Sequence, residues 1–110
     1  SNIVKTSDIT DGVWEHKDLI AKYFPADQVQ NALMVASGEN GSGDPTRVSK
    51  PNHNGTYDFG IFQINSCHKD RVDGNLDVLL DAETNVRIAS EIWSEQGWSP
   101  WVAARKLGIQ

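Results

Sequence analysis

The sequence predicts an α+β domain, mainly helical, with one small β hairpin in its middle. Three observations carry that expectation. Val29, Ala32, Leu33 and Ala36 fall at i, i+3, i+4 and i+7, which is one face of a helix. Ala82, Val86, Ala89 and Trp93 form a second stripe behind Asp81, a good N-cap, with Glu83 adding favourable charge in the first turn. Between these segments, Asn54-Gly55 signals a hairpin, because both central positions of a type I′ turn need positive φ.

Each element follows in chain order. Residues 1–12 are polar and expected to be extended. Trp14, Leu19, Ile20, Tyr23 and Phe24 predict a short amphipathic helix, which Pro25 ends. The same proline can open the next helix, where its missing N–H is not needed. That helix carries the Val29 stripe and is expected to stop at Gly38, leaving Glu39 just past its C-terminus. From Asn40 to Asn54 the chain is rich in Gly, Ser, Asn and Pro and reads as loop. The second hairpin strand is expected over Tyr57 to Phe62, which places Asp58 on a strand. The helix that begins near Asp81 ends at Gly97, and Ser99-Pro100 starts a last short helix through Trp101 to about Lys106.

At 110 residues the chain makes one domain, 1–110, able to remove roughly two-thirds of its unfolded surface from water. Its 38% hydrophobic and 23% charged residues are those of an ordinary globular chain. Apolar runs of only a few residues exclude a membrane span, and no signal peptide is visible. The start at Ser1-Asn2 leads to the expectation of a domain excised from a larger protein, with any export specified elsewhere. A net charge of −5 without a basic stripe argues against nucleic acid as partner. The single cysteine, Cys67, cannot form an internal disulfide and is expected to be a small, partly buried hydrophobe. A nucleophile built from Cys67 and His68 would need a geometry that adjacent residues rarely present. His16, His53 and His68 lack metal-ligand spacing, and DRVDGNLD departs from the order of a calcium loop. Neither a metal nor a cofactor is therefore expected.

Asp58-Phe59-Gly60 is also the triplet with which protein kinases hold magnesium. Kinase chemistry needs, besides, a glycine-rich phosphate loop, a strand lysine and an H-R-D loop, and the sequence contains neither G-x-G-x-x-G nor H-R-D. Paired carboxylates offer a better account. Glu39 beyond a helix C-terminus feels the negative end of the dipole, and an aromatic face over it would add desolvation; both raise the pKa of an acid. Asp58, among Asn52, Asn54, Thr56 and Asn65, is expected to stay ionised. Two carboxyls in opposite environments are the pattern that cleaves a glycosidic bond.

The stretch NHNGTYDFGIFQINS, residues 52–66, resembles the hairpin of chicken-type lysozymes and of the related lysozyme-like domains of bacteria and phages. DAETNVRIASEIWSEQGWSPW, residues 81–101, is closer to the bacterial and phage branch, and ALMVASGEN, residues 32–40, is similar to the helix end that carries the catalytic acid. The resemblance implies a lysozyme-like fold with the hairpin beside a saccharide cleft. It makes Glu39 the general acid and Asp58 the nucleophile or charge stabiliser. Gln63 and Asn65 match cleft-lining positions, Trp101 matches the tryptophan that packs against the acid, and Trp98 is a further candidate for substrate contact. Two departures stand out: Asn40 follows the acid where many relatives have Ser, and the disulfides of the animal enzymes are absent.

The function implied is a muramidase that hydrolyses the β-1,4 bond between N-acetylmuramic acid and N-acetylglucosamine in peptidoglycan. One alternative is a lytic transglycosylase forming 1,6-anhydromuramic acid products, in which Asp58 only braces the hairpin. Another is a non-catalytic wall-binding module of a phage tail or wall-associated protein. For Gln63 the competing reading is an amide satisfied by backbone, and Trp14 and Trp93 read as core. The expected partner is the peptidoglycan glycan strand, met in the periplasm, the cell wall or a phage virion, by a monomer or by one domain of a larger assembly.

Overall fold

In the computed structural model, which describes residues 3–110, the first helical region is two short helices. Helix α1, Asp11–Trp14, starts where the Thr10 hydroxyl accepts the Val13 N–H at 3.3 Å. Helix α2, Lys17–Tyr23, follows after a break at Glu15-His16 and ends at Phe24, which is extended. Phe24 precedes Pro25, and the proline ring disfavours the helical region for its predecessor. A 3₁₀ turn, Ala26–Gln28, leads into α3, Val29–Glu39. Val29, Ala32, Leu33 and Ala36 are all buried, joined by Val35.

Helix α3 runs one residue beyond the expected stop. The Asn40 N–H still donates to the Ala36 carbonyl at 2.8 Å, so Glu39 is the last helical residue. Gly38 has another purpose: a Cβ there would come within 2.7 Å of the Ala103 Cβ. It lets α3 pack tightly on α5, Val102–Leu107, and that packing brings the α5 backbone up to Glu39.

The hairpin region also departs from expectation. Gly55 alone takes positive φ, +81°, and Asn54 does not. The Asn54 side chain instead accepts the Thr56 N–H at 3.1 Å and the Thr56 hydroxyl at 2.6 Å, closing the turn without left-handed backbone of its own. Residues 47–49 run beside 58–60, with a bridge between Val48 and Phe59. The strand that was expected through Phe62 is only β1, Asp58–Phe59. Gly60, at φ +73°, turns the chain back, and β2, Ile64–Asn65, pairs antiparallel with Asp58 opposite Asn65.

Two 3₁₀ segments, Ser66–Val72 and Leu76–Leu80, lead to α4, Ala82–Gln96. Asp81 caps α4, accepting the Thr84 N–H at 3.0 Å, and Gly97 ends it at φ +67°. The face that α4 buries is Val86, Ile88, Ala89 and Ile92, while Trp93 is half-buried. Asn85 is buried on the same helix. Its Oδ1 accepts the Phe62 N–H at 2.9 Å, and its Nδ2 donates to the Phe59 and Leu79 carbonyls at 2.8 and 2.9 Å. One side chain thereby ties α4 to the hairpin. Among the described residues, no helix is long and apolar enough to cross a membrane.

Candidate active site

A cleft of about 510 Å³ runs between the hairpin and the end of α4, with Glu39, Asp58, Gln63, Asn65, His68 and Trp101 among the residues of its walls. The two carboxyls singled out in the sequence therefore face one cavity. Glu39 is half-buried, and one of its oxygens accepts the Ala103 N–H at 3.0 Å. Burial raises its pKa; the Ala103 N–H opposes that rise, the Asp58 charge adds to it, and Lys106 and Arg105 oppose it more weakly. The cause expected from sequence, desolvation, is the leading one. The peptide carbonyl of Glu39 accepts from Arg47 at 3.0 Å.

Asp58 is gripped by amides. Asn65 Nδ2 donates to Asp58 Oδ1 at 2.9 Å, and Asn52 Nδ2 donates to Asp58 Oδ2 at 3.1 Å. The second hydrogen of each amide goes to the Thr56 hydroxyl, at 3.0 Å in both cases. Thr56 in turn donates to Asn54 Oδ1. The result is a closed polar cage that fixes where the carboxylate points.

The remaining candidates divide. Trp101 reaches the cleft wall and donates its indole N–H to the Phe62 carbonyl at 3.0 Å, which anchors it to the hairpin. Trp98 does not reach the cleft. It is 1% exposed, stacks on Phe24 at 5.5 Å between ring centroids, and donates to Gln28 Oε1 at 2.8 Å, so its place is the aromatic core. Gln63 lies in the turn before β2 at φ +48°; its Nε2 donates to the Gly60 and Arg47 carbonyls at 3.0 and 3.3 Å. That matches the backbone-satisfied reading and leaves only Oε1 towards a ligand. Asn65 lines the cleft, yet its Oδ1 accepts the Cys67 N–H at 2.9 Å and its amide serves Asp58 and Thr56. Cys67 is exposed on the cleft wall and is not a buried hydrophobe, because the 3₁₀ segment opened by Asn65 turns it outward.

Sequence reasoning missed the residues that hold these groups in place. Asn40, fully buried, donates to the Gly60 and Asp44 carbonyls at 3.1 and 2.9 Å and accepts from the Ser42 hydroxyl, so it joins the end of α3 to the hairpin. Its position directly after the acid was the available signal. Among the described residues, no three His, Cys, Asp or Glu side chains converge as a metal site.

Residues 19–103 match the family described as "Lysozyme like domain". This chain belongs to that family. Lysozyme E and Lysozyme D of Drosophila melanogaster are each 34% identical to it over 90 residues, spanning 70% of this chain and 63% of the relative. The chain thus covers less than two-thirds of the length of these curated relatives. A lysozyme structure from Litopenaeus vannamei superposes with a TM-score of 0.65 at 24% identity, covering 96% of this chain and 86% of that one. The mainly helical architecture with its two-stranded sheet is the fold of that lysozyme.

Proposed function

We propose that this lysozyme-like domain hydrolyses the β-1,4 bond between N-acetylmuramic acid and N-acetylglucosamine in peptidoglycan. The observation that carries the reading is the pairing, across one cleft, of a desolvated Glu39 with a raised pKa and an Asp58 carboxylate in an amide cage. Glu39 protonates the oxygen of the leaving sugar. Asp58 stabilises or captures the positive charge that develops at the anomeric carbon, and Glu39 then takes a proton from the attacking water. The names of the matched relatives support the same reading. The domain acts on glycan strands outside the cytoplasm, in the periplasm, the wall or a virion, alone or within a larger assembly.

The cage itself supports one second reading. Every donor to the Asp58 carboxylate comes from the hairpin or the loop leading into it, an arrangement that also suits a purely bracing role. In that case the domain is a lytic transglycosylase: Glu39 serves as acid and then base, and the 6-hydroxyl of muramic acid closes the anhydro ring.

Digestion of purified peptidoglycan by the domain and by Glu39→Gln, followed by mass spectrometry of the muropeptides, tests the proposal. Reducing muramic acid ends, absent with the variant, are the expected result. Products lighter by one water would replace hydrolysis with the transglycosylase reaction. Binding without turnover in the unmutated protein would make the domain a wall-binding module.

A further inference from the structure

His68 stands in the wall of the cleft, and the proposed reaction gives it no part. Its ring is held from behind. Arg71 Nε–H donates to His68 Nδ1 at 3.3 Å, and Arg71 is itself fixed by two hydrogen bonds to Glu95, at 3.0 and 2.7 Å. Glu91 lies 4.0 Å from the same guanidinium. A guanidinium carries donors only, so Nδ1 must be the acceptor, and the proton of the neutral ring belongs to Nε2. Burial and the Arg71 charge push His68 below the ordinary histidine range, against a smaller opposing pull from Glu95, which keeps the ring neutral at neutral pH.

The Nε2–H has no acceptor among the described residues. It is a donor with a fixed tautomer, on a cleft wall whose neighbouring amides are already committed: Gln63 Nε2 to backbone, Asn65 Nδ2 to Thr56 and Asp58. The charged and titratable groups around it are Arg71 and Cys67 on its own segment and Glu91 and Glu95 from α4.

We propose that His68 is a substrate-binding residue whose Nε2–H donates to an acceptor oxygen of an N-acetylated sugar, with the Arg71–Glu95 pair setting the tautomer. The inference rests on the saccharide reading above. A contact of this kind positions the glycan and moves no proton in the reaction, so its loss raises KM and leaves kcat.

The test measures kcat and KM on soluble peptidoglycan fragments, and the Kd of an N-acetylglucosamine tetramer by calorimetry in a Glu39→Gln background. His68→Phe keeps a planar ring and removes the donor; KM and Kd are expected to rise about tenfold, the scale of one hydrogen bond. His68→Gln returns an amide N–H near the place of Nε2 and is expected to come back to within about threefold of the parent. Nitrogen NMR of the imidazole should report protonation at Nε2 alone in the parent and a mixture of tautomers in Arg71→Met. Unchanged KM and Kd in His68→Phe would overturn the proposal, as would a parent with mixed tautomers. A fall in kcat and thermal stability alongside KM would overturn it too, by making His68 structural. If the parent binds the tetramer but cleaves no peptidoglycan, the enzymatic reading fails and the Kd series alone decides on His68. If it neither binds nor cleaves, both fail.

Discussion

Glu39 and Asp58 line the same cleft and are held by opposite means. Glu39 closes a helix whose inner face is apolar, and its carboxyl has one hydrogen bond, from the Ala103 backbone. Asp58 sits on a strand of two residues, and each of its oxygens takes an amide hydrogen from a side chain of the hairpin region. The difference separates two tasks. Keeping a proton on an acid takes desolvation, which helix packing supplies; keeping a carboxylate aimed takes directional bonds, which a polar cage supplies.

The largest effect that can break this comparison is on the acid. Glu39→Gln is expected to lower kcat for muropeptide release about 10³-fold, near 4 kcal/mol of barrier, without loss of far-ultraviolet circular dichroism. Substantial remaining turnover would mean that the proton comes from another group. Gly60→Ala follows, because Gly60 lies between the two environments. Its carbonyl accepts from Asn40, next to Glu39, and its neighbour Phe59 pairs within the strand of Asp58. A Cβ at φ +73° would press on the Asn85 amide and lie 2.6 Å from the Leu79 carbonyl oxygen. Urea unfolding should show a loss of about 3 kcal/mol. Wild-type stability would mean that this close approach of hairpin and α4 is not what holds them.

The limits of sequence reading fall along the same line. The α3 stripe and the Asp81 cap were legible because both are local: period, cap and breaker lie within a few positions of each other. Glu39 and Asp58 were legible through short motifs around them. The contacts that hold them were not. Ala103 donates to Glu39 from 64 positions away, and Asn85 reaches the Phe59 carbonyl across 26, so neither leaves a local mark. Buried Asn40 and Asn85 look like surface residues in the sequence, because what satisfies them is backbone elsewhere in the chain. Trp98 misled for a related reason. It lies between Gly97 and Ser99-Pro100, on no periodic face, and Phe24 and Gln28 from the other end of the chain decide that it turns inward.

Two substitutions on the hairpin sharpen the comparison at smaller scale. Asp58→Asn preserves shape and removes charge; turnover is expected to fall about 10²-fold, measured as reducing ends released, with KM little changed. Turnover within about twofold of wild type, combined with lower stability, would assign Asp58 to bracing and favour the transglycosylase. Asn52→Ala removes one cage donor and leaves the Asn65 bond to the following 3₁₀ segment intact. The expected loss in kcat/KM is about fivefold, the scale of one exposed hydrogen bond that orients a catalytic group. If Asn52→Ala matched Asp58→Asn, the cage would matter for more than aim.

The subtlest difference between the two carboxyls is in how stability depends on pH. Burial raises the Glu39 pKa above its ordinary 4.5, so the folded protein holds this proton to higher pH than the unfolded chain does. The stability contributed by protonated Glu39 is complete below pH 4.5 and is lost as pH climbs through the folded-state value. Glu39→Gln, which cannot ionise, avoids that loss. The variant should therefore melt close to wild type in acid and above it at neutral pH, with the gap opening from pH 4.5 upward. The same titration gives the alkaline limb of kcat/KM, since only protonated Glu39 can protonate the leaving oxygen. Melting curves across pH and the rate profile should then share one midpoint. If the melting gap stays flat while the rate still falls, the acid is not the group whose burial the fold tolerates, and the proton donor must be sought elsewhere in the cleft.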